Sequence, residues 1–167
     1  MLDPSNLCFP NNVQDLLVGK FKGIDAPDTK VVRRPIRETD DNQTIGVFPV
    51  AWSPVIDSKE MVGRYSEPTF QRYTILVQAY VIDAEEERGI RKHALLSHLV
   101  RHTLYRDPAL AVVLSEVDVE FPAGSRPSRE FVSKWDVVGQ DFQNQKQKNN
   151  TFIFLSTTEM YVETEFE

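Results

Sequence analysis

The chain has 167 residues and a formal net charge of −6, from 19 Lys and Arg against 25 Asp and Glu. A pI near 5.1 argues against a general nucleic-acid binder, which needs a basic excess or stripe, and against anchoring on an anionic membrane. No apolar run reaches the ~18 residues of a membrane span, Met1–Pro10 lacks the basic and apolar regions of a secretory signal, and the single Cys8 excludes an intrachain disulfide or a multi-cysteine metal site.

The length is that of one domain, which should bury roughly 70% of its unfolded surface. Val, Ile, Thr, Phe, Tyr and Trp number 54 against 23 for Ala, Leu and Met. β-Branched and aromatic side chains fit a pleated, half-buried surface, so strands should dominate and helices be few.

A first helix is expected from Asn12 to Lys22, with Asn12 as its cap and Gly23 as its stop. Val13, Leu16, Leu17 and Phe21 form its apolar stripe. Thr29 to Arg37 reads as an edge strand, because Pro35 cannot donate to a ladder. The polar run Glu38 to Gln43 reads as a loop or hairpin tip, Ile45 to Trp52 as the next strand, and Ser53 to Pro68 as a long loop.

Thr69 to Ile82 is the clearest strand, with Tyr73, Ile75, Val77, Ala79 and Val81 alternating onto one face. Asp83 is placed to cap a helix over Ala84 to Tyr105, whose first turn carries Glu85, Glu86 and Glu87 and which Asp107-Pro108 stops. Val112 to Phe121 alternates as a strand, and Pro122 to Arg129 is a Pro/Gly/Ser loop. Asp136 to Phe142 reads as a short strand and Gln143 to Asn150 as a polar connection. Thr151 to Phe166 is the last strand, its even positions facing one side. At about 3.3 Å per residue it would span roughly 53 Å, longer than the ~40 Å body of such a chain. It must therefore project toward a partner or be folded over the core by a bulge.

The residues carry no nucleophile elbow, phosphate loop or dinucleotide turn. No catalytic residue, cofactor or metal is assigned. Cys8 reads as a small apolar residue, and the Asn-x-Thr triplets at Asn42 and Asn149 as chance matches. His93, His98 and His102 all fall in the second helix; His98 and His102 have a metal-clamping i, i+4 spacing, but Arg101 sits between them. Leu95, Leu96, Leu99, Val100, Thr103 and Leu104 should pack that helix on the sheet. The opposite side gathers Arg91, His98, Arg101, His102 and Tyr105. This is either a solvated polar face or a basic, aromatic patch for a partner. Arg33, Arg34 and Arg37 make a second basic cluster on the early strand.

Glu116, Asp118 and Glu120 form an acidic row on one strand, and Glu159, Glu163 and Glu165 form another on the last strand. Such rows bind divalent cations or, more commonly, mark the watered side of a sheet. Residues 83–167 hold ten basic and fifteen acidic groups, and so supply −5 of the −6. A basic helix face and an acidic sheet face suit head-to-tail contact between copies, which closes into a ring at the right rotation.

In size, acidic balance and element order the chain resembles the tail terminator proteins of long, non-contractile-tailed bacteriophages. The likeness covers nearly the full length. It is strongest from Phe70 to Leu110, where Tyr73-Thr74-Ile75-Leu76-Val77-Gln78-Ala79-Tyr80-Val81 runs into the acid-started helix and ends at Tyr105-Arg106-Asp107-Pro108. The resemblance implies a structural virion protein, not an enzyme, at the tail–neck junction. It implies a hexameric ring that caps the tail tube, partners in the tube protein and a head-completion or neck protein, and DNA passing through the lumen without specific binding. The acidic rows would then suit a channel wall.

The fold expected is α+β, a mainly antiparallel sheet with two helices on one face, in a single domain over residues 1–167. The alternatives are a head–tail joining or tail-tube subunit, a metal-dependent hydrolase using His98 and His102 with carboxylates, and a host-encoded adaptor domain.

Overall fold

The computed structural model describes residues 9–55, 70–125 and 128–167. Its elements are α1 (Phe9–Lys22), β1 (Lys30–Val32), β2 (Gln43–Val55), β3 (Phe70–Asp83), α2 (Glu86–Arg106), α3 (Pro108–Ser115), β4 (Asp118–Glu120), β5 (Arg129–Lys148) and β6 (Thr151–Phe166). The six strands join one curled sheet in the order β1-β2-β3-β6-β5-β4. All pairs are antiparallel except β1 with β2. The class is α+β, with three helices rather than two among the described residues.

Strict alternation builds the core. Tyr73, Ile75, Val77, Ala79 and Val81 of β3 are buried, as are Phe154, Ser156, Thr158, Met160, Val162 and Thr164 of β6. They meet Val13, Leu17 and Phe21 of α1, Leu96, Val100 and Leu104 of α2, and Leu110 and Leu114 of α3. The helices therefore share one face of the sheet. Gly89 sets how closely α2 sits: a Cβ there would lie 2.3 Å from the ring of Phe154.

Several expected boundaries move. Helix α1 starts at Phe9, so Asn12 is inside it and is not its cap. The early strand shrinks to Lys30–Val32. Because β1 runs parallel to β2, residues 33–42 are a crossover loop and not a hairpin tip. The loop lies on the helix-free side of β2 and β3, where the Ile36 amide donates to Gln78 Oε1 at 3.1 Å. Gly46 makes room for it: a Cβ would fall 2.9 Å from both the Arg34 carbonyl oxygen and Ile36 Cγ1. Pro49 and Pro54 lie in the part of β2 that β1 leaves uncovered, where a missing amide costs least.

The expected strand Val112–Phe121 is instead α3 followed by the three-residue β4. Asp107 Oδ1 accepts from the Ala109 amide at 2.9 Å, and Pro108 is pre-set for the first helical position. Leu110 and Leu114, one turn apart, then bury together. Residues 136–150 are likewise no short strand and polar connection. A single β5 runs to Lys148, and the turn is only Asn149-Asn150, both with positive φ (50° and 60°), as a tight hairpin requires.

The long last strand does not project alone. It is paired along one side with β3 and along the other with β5. The irregularities fall on its neighbour β5, with register shifts at Val132/Lys134, Val137/Gly139 and Gln143/Lys146, and, one strand further off, on β2 at Pro49/Ala51. Cys8 and most of the expected 53–68 loop lie outside the described residues, as do Arg126 and Pro127 of the second loop.

Candidate functional site

Helix α2 positions the main candidate surface. Asp83 precedes it and is almost fully buried; it accepts from the Glu85 amide (3.0 Å), Arg88 Nη2 (2.6 Å) and Lys92 Nζ (2.9 Å). The Arg88 guanidinium holds this carboxyl far below the usual range, with burial opposing it. The helix start is thus anchored by one acid ahead of the first turn, and the helix packs on β3 and β6.

The buried side of α2 is Gly89, His93, Leu96, Ser97, Val100, Thr103 and Leu104. This arc is rotated from the expected one: Leu95 is 55% exposed and Leu99 only half-buried. Gly89, His93 and Ser97 take inner places facing β6, and at Gly89 the strand leaves no room for a side chain. His93 stacks on Phe154 with ring centroids 5.9 Å apart. Ser97 Oγ lies 3.3 Å from His93 Nε2 and 2.9 Å from Ser156 Oγ. Burial pushes the His93 imidazole below its ordinary value, with a backbone bond at Ala79 working the other way. His93 is thus removed from the other two histidines.

On the outer side, His98, Arg101, His102 and Tyr105 are exposed and are joined by Arg106. These five line one open depression of about 580 Å³. The His98 and His102 rings lie 6.2 Å apart at 45°, and the Tyr105 hydroxyl faces the Val137 carbonyl at 3.5 Å. Among the described residues, His98, Arg101, His102 and Arg106 form no ion pair. Nor do any three His, Cys, Asp or Glu gather to hold a metal among them. Arg91 separates from this group, since Glu87 Oε1 pairs with it at 2.7 Å one turn away. Arg106 was the member missed; it is the last residue of the helix and extends the same face.

The other expected clusters are largely neutralised. Arg33 pairs with Asp15, and Arg34 grips Asp40 through both nitrogens. Arg34, with the Arg37 amide, holds the Asp40 carboxyl down to about 2. These arginines follow β1 rather than sitting on it. Glu163 pairs with Arg72, whose guanidinium also lies over the Tyr161 ring (4.4 Å). Asp118 pairs with Arg129 at 2.7 Å.

The two acidic rows turn out to share the helix-free side, because the register sets Asp118, Phe131 and Glu165 next to one another. Glu116 is not on that strand; it caps α3. Glu116, Glu120, Glu159 and Glu165 form no ion pair among the described residues. An acid not singled out from sequence, Glu130, is buried at the inner end of the sheet, where its Oε1 accepts from Tyr73 (2.8 Å) and Thr164 (2.6 Å).

The described residues contain no helix long and apolar enough to cross a membrane. The chain matches no protein-family model and no curated protein at a significant level.

Proposed function

We propose that this chain is a non-enzymatic structural subunit of a bacteriophage tail, a tail terminator that assembles head-to-tail into a ring at the tail–neck junction. The observation that carries the reading is the α2 face. On a molecule with net charge −6, it exposes His98, Arg101, His102 and Arg106 around Tyr105 without one internal counter-ion among the described residues. Uncompensated charge of one sign on a molecule dominated by the other is what steers and registers identical subunits. The resemblance of the sequence to tail terminators supplies the kind of assembly: a hexamer on the tail tube, facing a neck protein, with DNA in the lumen.

Mass measurement and negative-stain electron microscopy of the purified protein test this. A discrete closed ring is expected. Open-ended tubes would point instead to a tail-tube subunit, and monomer alone would sink the assembly reading. Stoichiometric zinc or manganese in the purified protein would favour a hydrolase built on His98 and His102.

A further inference from the structure

We infer that an extended acidic segment of another protein adds as a strand to the edge of β5 and lies alongside α2. Two strands of the sheet have long uncovered edges among the described residues. β1 pairs with β2 only at Thr44–Gly46, and β4 pairs with β5 only at Arg129–Phe131. Such edges are templates for a further strand, and proteins blunt them with prolines. The uncovered part of β2 holds Pro49 and Pro54, whereas β5 has no proline from Arg129 to Lys148. Between its shifts at Val137/Gly139 and Gln143/Lys146, β5 keeps a regular register with β6 from Gly139 to Gln143. That stretch is the length of an ordinary strand.

Helix α2 runs beside it. Ser97 meets Ser156, whose β5 partner is Phe142, and the Tyr105 hydroxyl faces the Val137 carbonyl at 3.5 Å. At about 100° per residue, His98 and Arg101 stand within about 40° of Tyr105 around the helix, so they share its β5 side. Both are exposed, and neither has an ion pair among the described residues. Arg106 stands about 100° further round and stays open to a neighbouring subunit, so the inference goes beyond the ring reading and does not need it. A strand added to β5 directs every second side chain toward the helix side. Acidic residues there would pair with Arg101, and charge-assisted contacts of this kind fix geometry as well as adding attraction.

The same features select the occupant. The open amides and carbonyls of a strand edge are matched by another polypeptide backbone, whereas a phosphate backbone has no N–H to donate. A second β5 edge would bring two basic helix faces together, like against like. The described part of the chain itself cannot supply the segment: Glu159, Glu163 and Glu165 lie in β6, which is paired on both sides, and β4 has only three residues.

The probe is a short fluorescein-labelled peptide with glutamate at every second position, titrated against the full chain and read by anisotropy. It should bind at least about tenfold more tightly than the same peptide with lysine at those positions, and Arg101→Glu should weaken it at least about tenfold. Circular dichroism checks that the variant is folded. Two further peptides, N-methylated on alternate residues in the two possible phases, test the strand itself. One should lose binding and the other keep it, because only one set of amides faces β5. Hydrogen exchange within Gly139–Gln143 should slow when the parent peptide is bound. Equal affinity for the lysine peptide, parent-like binding by both methylated peptides, or displacement of the peptide by an equimolar oligodeoxythymidine overturns the inference. Its failure is separate from that of the ring reading: rings that bind no peptide remove the groove and leave the ring, and a monomer that binds it does the reverse.

Discussion

His93 shows how one buried titratable group ties stability to pH. In the folded chain it is packed between Phe154 and Ser97, and burial lowers its proton affinity. In the unfolded chain it titrates near its ordinary value of about 6.5. As pH falls through that value the unfolded state takes up a proton that the folded state refuses. The folding free energy present above about 6.5 should therefore decline as pH drops toward the lower folded value. Urea denaturation at roughly pH 7.5 and 5.5 should show this decline in the wild type and a flatter profile in His93→Gln. Equal slopes would remove His93 as the cause. Asp83 works in the opposite direction: its carboxylate is stabilised in the fold, so its contribution holds above about 3.8 and fades only in stronger acid.

At the scale of elements, α2 approaches β6 closely at Gly89. Gly89→Ala gains up to about 1 kcal/mol of helix propensity, but the new methyl would sit 2.3 Å from the Phe154 ring. Overpacking of that kind costs about 1–3 kcal/mol, so the variant should be less stable than wild type. Phe154→Leu added to Gly89→Ala should recover part of the loss relative to Gly89→Ala alone, measured by thermal or urea denaturation. Gain of stability in Gly89→Ala would mean that the helix can lift off the strand.

The same scale shows why some elements were legible and others not. β3 and β6 keep one period without interruption, so Tyr73 to Val81 and Phe154 to Thr164 could be sorted into faces by counting. β5 could not be read that way, since each of its three register shifts exchanges inner for outer positions. The strand-like alternation from Val112 to Phe121 straddles two elements. There the local signal that decided was Asp107-Pro108, a helix start as well as a helix stop.

The whole molecule is acidic, but its charge is not spread evenly. The fold pairs off Arg33, Arg34, Arg72, Arg91 and Arg129 within the chain and leaves the α2 face without a counter-ion among the described residues. If self-association rests on that face, added salt should weaken it, because exposed charges are screened beyond about 8 Å at physiological ionic strength. The fold itself, held by an apolar core, should hardly respond. Sedimentation at roughly 50 and 500 mM salt, with circular dichroism on the same samples, reads both. Assembly indifferent to salt would move the interface to an apolar surface such as that around Val50 and Trp52, which are 49% and 56% exposed.

The sequence alone determined the α+β composition, the inward faces of β3 and β6, the long α2 with its basic outer side, and a core without disulfides. These are local properties: the backbone period sets where successive side chains point, whatever the rest of the chain does. Only the tertiary structure decided which charges remain free. Arg72 and Glu163 stand 91 residues apart in the chain and meet because β3 and β6 are neighbours. Asp118 and Glu165 come to one side because β5 bridges their strands. Strand order and register are set by long-range packing, and they pair off several of the clustered charges while leaving the α2 face without an ion pair among the described residues.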